Sequence, residues 1–458
     1  MDKALVSAAL SGSKEARDAL IEQGASVVAA VLEVLCDASS PVDWTVPADV
    51  LCKIGEPALL PLAEAVASAA SPEAARRAGW ALGRLKVADQ AAYVPLLRHP
   101  HAAVRSNALY AFQSRGEAAA GFVDRLVPAL GDPESEVRQR AVWAFKGIGT
   151  GAVPALRRLR QEPSTAPRIR SGALEALAEI GGPGALSGRD LAVWRRLTRI
   201  KLLSETPEDV HLCGYWYAVR SDDQAAVLEA FGLGDPEPVT LRTGTSAWNS
   251  DTHSWDGKNP HQRCARVYVS PVLDGWTLVF GDSSEDSHLI EEADDQEEAL
   301  PVVVRRRCAE LSRRFGAAHW FGMSCGDDWT AWCLAEGGEV VRHYDAFDAA
   351  EKGYEGPGHP AEAGYLLPHE DGFPEGAFAG VSPTDHEAFA ARYQQVKEEL
   401  AIPDTCCATH VAARVSVDPG ALGTQGALGT RTRVTGTGVL ALTACGRRHG
   451  HPAGALTV

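Results

Sequence analysis

A chain of 458 residues with 45% hydrophobic and 23% charged side chains is too long for one ordinary core and too apolar to be disordered. Its formal charge of −16 makes it a poor general binder of nucleic acid, because phosphate contacts supply most of that affinity. There is no apolar run near the ~18 residues of a membrane span, no apolar signal-peptide core at the N-terminus and no C-x-x-C pair among the ten cysteines; a cytoplasmic protein with reduced thiols is expected.

In chain order, residues 3–38 read as an atypical helix pair of the kind that caps a repeat array. Ile54-Gly55-Glu56-Pro57-Ala58-Leu59 and Ala78-Gly79-Trp80-Ala81-Leu82 are faint copies of a unit that becomes clear downstream. That unit runs His99-Pro100, Val104-Arg105, Ala108-Leu109, Ala111-Phe112, Gly116. It recurs as Asp132-Pro133, Val137-Arg138, Ala141-Val142, Ala144-Phe145, Gly149, and again as Glu162-Pro163, Ile169-Arg170, Ala173-Leu174, Ala176-Leu177, Gly181. The proline turn stops one helix and starts the next, since proline has no amide hydrogen. The apolar positions line one helical stripe, and each closing glycine suits a left-handed helix terminus. A second helix follows each first one, as in Ala152-Val153-Pro154-Ala155-Leu156-Arg157-Arg158-Leu159.

This pattern resembles the HEAT-repeat family, in the short bacterial form first named from phycobilin lyases, over roughly residues 40–200. The resemblance implies a helical solenoid, and solenoids present extended concave binding walls. It implies no particular activity. Basic residues gather on the second helices: Arg125, Arg157, Arg158 and Arg160, then Arg195, Arg196, Arg199 and Lys201. Arginine pairs carboxylates bidentately, so Arg125, Arg158, Arg195, Arg196 and Arg199 are candidates for holding an anionic protein partner. A plain solvated face explains them equally well.

The pattern changes after Leu203, giving expected domains 1–203 and 208–458. Charge changes with it: residues 1–204 hold 25 Lys and Arg against 21 Asp and Glu, and residues 205–458 hold 19 against 39. Tyr215-Trp216-Tyr217-Ala218-Val219 reads as a strand and 222–233 as a helix; 243–262 reads as a polar stretch. Strands at 266–270 and 275–281 form a hairpin turned at 271–274, and 297–315 is a helix. Strands follow at 319–322, 329–334 and 340–344, the last two joined by Gly337-Gly338. Ser382-Pro383-Thr384-Asp385 caps a helix through 399, 405–414 is a short helix, and a Gly/Thr-rich tail follows. The whole reads as an all-α HEAT-like solenoid followed by an α+β domain with a largely antiparallel sheet. The Trp-Thr-Leu-Val-Phe strand and the tryptophan-bearing strands after it look similar to an uncharacterised bacterial α+β domain, which implies no function.

Seven of the eleven tryptophans lie between Trp216 and Trp332, and on strands they build core. Trp248 and Trp255 sit in the polar stretch with His253, and together with Cys325 they are the candidates for a ligand groove. Cys406-Cys407-x-x-His410 sets a thiol one helical turn from an imidazole, but lacks a second pair at zinc spacing and reads as a helix end. His253, His261 and Cys264 are near in sequence, with nothing to say that they meet. No phosphate loop, dinucleotide fingerprint, nucleophile elbow or H-E-x-x-H motif is present. No cofactor and no metal is expected. The acidic segment 285–298 is a candidate for docking intramolecularly on the basic repeat face. The leading expectation is a non-catalytic binding or scaffold protein that holds a protein partner on the repeats. An enzyme of unknown class, with its site in the tryptophan-rich domain, is the alternative. A nucleic-acid binder using the basic helices comes third.

Overall fold

The computed structural model describes residues 3–37, 39–253, 260–281, 296–352, 357–370, 372–381, 386–423, 432–450 and Pro452. They form two compact units, Met1–Gly181 and Gly182–Val458.

The first unit is all helical. The repeat-forming helices Ala102–Arg115 and Ser135–Ile148 bury the expected stripes: Val104, Ala108, Leu109, Ala111 and Phe112 on one, Val137, Ala141, Val142, Ala144 and Phe145 on the other. Gly116 and Gly149 close them at φ of 58° and 74°, the left-handed region where only glycine is unstrained. The third copy departs from this. Its helix, Pro167–Ala185, runs past Gly181, and the positive φ of 55° falls on Gly182.

The recurring arginine has a structural role. Arg105 donates to the carbonyls of His99 and Pro100 at 2.8 and 2.9 Å, and Arg138 donates to those of Asp132 and Pro133 at 2.8 Å each. Each arginine thus satisfies acceptors of the proline turn that its own helix follows. Arg105 also forks onto Asp132 of the next turn, with both bonds at 2.8 Å. Val153–Gln161 is the regular second helix expected, but two others are tighter than the pattern suggests. Gln90–Arg98 is 3₁₀, and Gly116–Gly131 is a 3₁₀–α–3₁₀ run through Val123–Leu126. Pro95 lies inside the first and Pro128 at the start of the last 3₁₀ piece, where a missing amide favours short windings.

The second unit is built on one antiparallel sheet of nine strands: β1 Gly214–Val219, β2 Gly234–Val239, β3 Arg266–Leu273, β4 Trp276–Phe280, β5 Ala317–Met323, β6 Thr330–Glu336, β7 Glu339–Asp345, β8 Val434–Thr435 and β9 Gly438–Leu442. The order is β2-β9-β3-β4-β1-β5-β6-β7, with β8 on the end of β3. Gly438–Leu442, the end of the Gly/Thr-rich tail, is therefore an interior strand. The β3–β4 turn is Asp274-Gly275, with φ of 49° and 83°; positive φ at both centres matches strand twist. Pro271 stays within β3, where the register shifts between Val269 and Val272, a bulge that tolerates its missing donor.

Both sheet faces are covered. Tyr217, Val219, Val279, Trp320 and Cys333 pack with Val227 and Phe231, and with Val304, Cys308 and Leu311 of the helix Gln296–Phe315. On the opposite face lie Trp216 and Tyr268, with Phe280 against Trp248. Trp248 belongs to the helix Leu241–Thr252, where the sequence reads as a polar stretch. The helix Gly188–Leu202 falls in the second unit, where Arg195 meets Glu237 of β2. Among the described residues no single helix is long and apolar enough to cross a membrane.

Two histidines make this unit acid-sensitive. Burial lowers the His319 pKa to about 4, and burial with Arg305 alongside lowers that of His343 to about 4. An unfolded histidine titrates near 6.5, so between these values the unfolded chain binds more protons and stability drops as pH falls. For His319 the full loss is about 3 kcal/mol. The urea midpoint of tryptophan fluorescence should fall between pH 7 and pH 4, and less steeply in His319→Leu. An equal pH slope in the two proteins would contradict this.

Candidate functional site

In the first unit Arg125 and Arg158 are exposed, and Arg158 reaches Asp124 at 3.3 Å. Arg195, Arg196 and Arg199 are exposed on Gly188–Leu202 in the second unit, and Arg195 already forks onto Glu237 at 2.9 and 2.6 Å. The five candidate arginines are thus divided between the units.

A different surface carries aromatic rings. The Arg76 guanidinium lies 4.7 Å from the centroid of Trp44, which meets Trp80 edge-on at 5.5 Å. Arg84 then sits 4.4 Å over Trp80 and 4.7 Å over Tyr110. Arg140 sits 5.4 Å over Tyr110 and 4.9 Å over Trp143. These seven side chains make a continuous series, five cation–ring pairs within cation–π range joined by the one ring–ring contact of Trp44 with Trp80. They come from Pro72–Leu82, Ala102–Arg115 and Ser135–Ile148, with Trp44 at the start of Thr45–Ile54 and Arg84 just past Leu82. Trp143 is 38% exposed, unusual for so large a ring. A signal was present in the sequence: Trp80 and Trp143 hold the same place in their repeats, and Tyr110 does so between them. They project from first helices, not from the second helices where the basic residues drew attention.

In the second unit a cavity of about 500 Å³ opens beside β1 and β5, within the range of small-molecule sites. Tyr215 and Trp329 line it with Arg263 and the acids Asp327, Asp345, Asp348 and Glu351. Cys213 is also on its wall. The Cys213 and Cys325 sulfurs are 3.3 Å apart, and the ligating atoms of His211, His253 and Cys325 lie within 4.8 Å of one another. The sequence candidates His253 and Cys325 therefore meet, joined by His211 and Cys213, which sequence reasoning missed. His253 Nδ1 lies 2.8 Å from the Asn249 carbonyl, which can only accept, so Nδ1 is the donor and Nε2 is the atom left to serve as a ligand in the neutral ring. Two thiols and two imidazoles thus come together as soft donors, of which Cys213 lines the cavity. Trp248 does not join them as an open wall; it is buried against Phe280 at 5.0 Å. Trp255 lies outside the described residues. Cys407 and His410 form a local helix cap, with Sγ to Nδ1 at 3.4 Å.

The helix that ends at His253 is held by a buried ion pair. Arg266 at the head of β3 forks onto Asp251 at 2.6 and 2.9 Å, and Gln262 also donates to Asp251.

A model of HEAT repeats matches residues 123–188. The first unit carries HEAT-type repeats. No curated protein matches the chain. Among solved structures, an engineered protein is 22% identical, covering 38% of this chain and 85% of its own, with a TM-score of 0.20. The karyopherin Kap121p, bound to the extreme C-terminus of the protein phosphatase Cdc14p, is 16% identical, covering 68% of this chain and 31% of its own, with a TM-score of 0.23. This chain thus spans about a third of the karyopherin's length.

Removing one charge of a buried pair strands the other, at a cost of about 3–5 kcal/mol. Asp251→Asn should lower the unfolding free energy by that amount in a urea titration. A loss below about 1 kcal/mol, the size expected of a surface pair, would show that the pair does not hold the helix.

Proposed function

We propose that the chain is a non-catalytic, cytoplasmic binding protein whose HEAT-type repeats hold a protein partner rich in acidic side chains. The observation that supports this most is the cation–ring series from Arg76 to Trp143. Tryptophan, tyrosine and arginine dominate binding hot spots, because each joins a large apolar area to a polar handle. Arg76 already forks onto Glu73 and half-buried Arg140 donates to Gln113, but exposed Arg84 is held between Trp80 and Tyr110 and can meet an incoming carboxylate with little entropy left to lose. Arg125 and Arg158 extend the basic character of the same unit. Arg195, Arg196 and Arg199 serve the second unit in this reading.

The experiment is affinity capture from the native host with the full chain, alongside Arg84→Glu/Arg140→Glu and Trp80→Ala/Tyr110→Ala/Trp143→Ala. Circular dichroism confirms that each variant is helical. A protein retained by the wild type should bind each variant at least about 30-fold more weakly, since a hot-spot truncation costs about 2 kcal/mol. Undiminished binding by both variants would remove this surface from the reading. Recovery of nucleic acid with a steep salt dependence would favour the third reading instead.

A second reading rests on the cavity walled by Cys213, Tyr215 and Trp329. Its acids and aromatic floor suit a small cationic ligand, bound or transformed in the second unit. The acidic segment 285–298 is a second candidate for an intramolecular role. Residues 285–295 lie outside the described residues. Docking of this segment on the basic repeats would keep the chain closed, and deleting residues 285–298 should then increase the radius of gyration in small-angle scattering. Unchanged dimensions count against it.

A further inference from the structure

A second donor set lies at the far end of β3 and β9. Arg266 pairs with Leu442, so the residues just before β3 run alongside those just after β9. Thr443 continues the ladder, its amide donating to Ala265 O at 3.1 Å and its hydroxyl to Cys264 O at 2.5 Å. The same hydroxyl accepts from the Gly446 amide at 3.1 Å and so caps the helix Ala444–His449. That helix is pressed on the strand: a Cβ at Gly446 would collide with the Ala265 backbone. The chain therefore has little freedom in where it puts Cys445, and its sulfur lies 2.9 Å from that of Cys264. Cys445 Sγ is also 3.4 Å from His261 Nδ1, and the donor atoms of His261, Cys264 and Cys445 all fall within 4.8 Å of one another. His449, one turn beyond Cys445, stacks its ring on His261 at 3.7 Å.

We propose that His261, Cys264, Cys445 and His449 bind one zinc ion as a structural site that fastens the helix Ala444–His449 to the head of β3. The spacing is H-x₂-C on one segment and C-x₃-H on the other, two local pairs of the kind that structural zinc uses. A zinc tetrahedron with Zn–S near 2.3 Å has sulfur–sulfur edges of ~3.7 Å and slightly shorter sulfur–nitrogen edges. The His261–Cys445 approach already matches the latter. Cys264 and Cys445 separate by under an ångström, and exposed His449 changes rotamer to bring a ring nitrogen to the fourth corner. Two thiolates and two neutral imidazoles cancel the charge of Zn²⁺. A neutral site suits residues that are half-buried, as His261, Cys264 and Cys445 are. Binding displaces two thiol protons to solvent.

The test uses the full chain purified under reducing conditions with zinc present. Zinc per chain is measured by elemental mass spectrometry for the wild type and for Cys264→Ser/Cys445→Ser. The variant should hold one equivalent less, and taking the difference keeps the reading independent of any metal at the Cys213 set. A second measurement needs no variant. Cys264 and Cys445 should resist iodoacetamide in the zinc-loaded wild type and become alkylated once a chelator is added, as read by peptide mass. Cobalt(II) restored to the stripped wild type should give tetrahedral thiolate–cobalt absorption that weakens in His449→Ala. Equal zinc in wild type and variant, alkylation of both cysteines regardless of chelator, or a Cys264–Cys445 disulfide in the reduced preparation would overturn the proposal.

Discussion

The second unit depends on one long-range pairing, that of β3 with β9. β9 lies between β2 and β3, so β2 has no other route into the sheet. Each of these strands comes from a different stretch of chain, and closing so long a loop costs entropy that only a continuous ladder and buried side chains offset. Val439, Leu440, Ala441 and Leu442 supply that burial on both faces at once. The same pairing sets the position of Thr443 and hence of the last short helix. It also holds Arg266 where Asp251 can reach it, which anchors the helix Leu241–Thr252 over Phe280. Strand, helix and donor residues thus share one cause.

The first unit follows another rule. Its stability comes from near-identical helices stacked on neighbours, with alanine at the contacts and Arg105 and Arg138 tying down the proline turns before their helices. Nothing in that scheme needs a large ring on the outer surface. Trp80, Tyr110 and Trp143 add little to the seam that Phe112 and Phe145 already fill, and the arginines between them are not those of the turn motif. Cation–π contacts hold the row together, and the proposed recognition role rests on it.

Much of this was legible in the chain because the signals are local. The repeat period, the β5–β6–β7 meander with its Gly337-Gly338 turn, and the long helix Gln296–Phe315 all follow from short-range pattern. The misses have physical reasons. Leu241–Thr252 is written largely in Thr, Ser, Asn and Gly, residues of low helix propensity, and its buried face of Leu241, Gly244, Ala247 and Trp248 is too small to announce itself. The 438–442 strand looked like a tail because its partner lies far back in the sequence. Pro95 and Pro128 shortened helices that periodicity alone drew as regular. His253 and Cys325 were singled out separately, but that His211 and Cys213 join them depends on how β1 lies beside β5, which no window of sequence contains.

The place of β9 has a consequence for synthesis. The ribosome delivers β1, β3 and β4 long before residue 438, and until then the inner edge of β3 exposes unpaired amides and carbonyls beside apolar side chains. Such an edge accepts any extended chain, so the nascent protein passes through a period in which pairing with a neighbour competes with completion of its own sheet. A message cut short before this strand would leave that vulnerability permanent and yield a product for chaperones and proteases to handle, although nearly every other strand had already been translated.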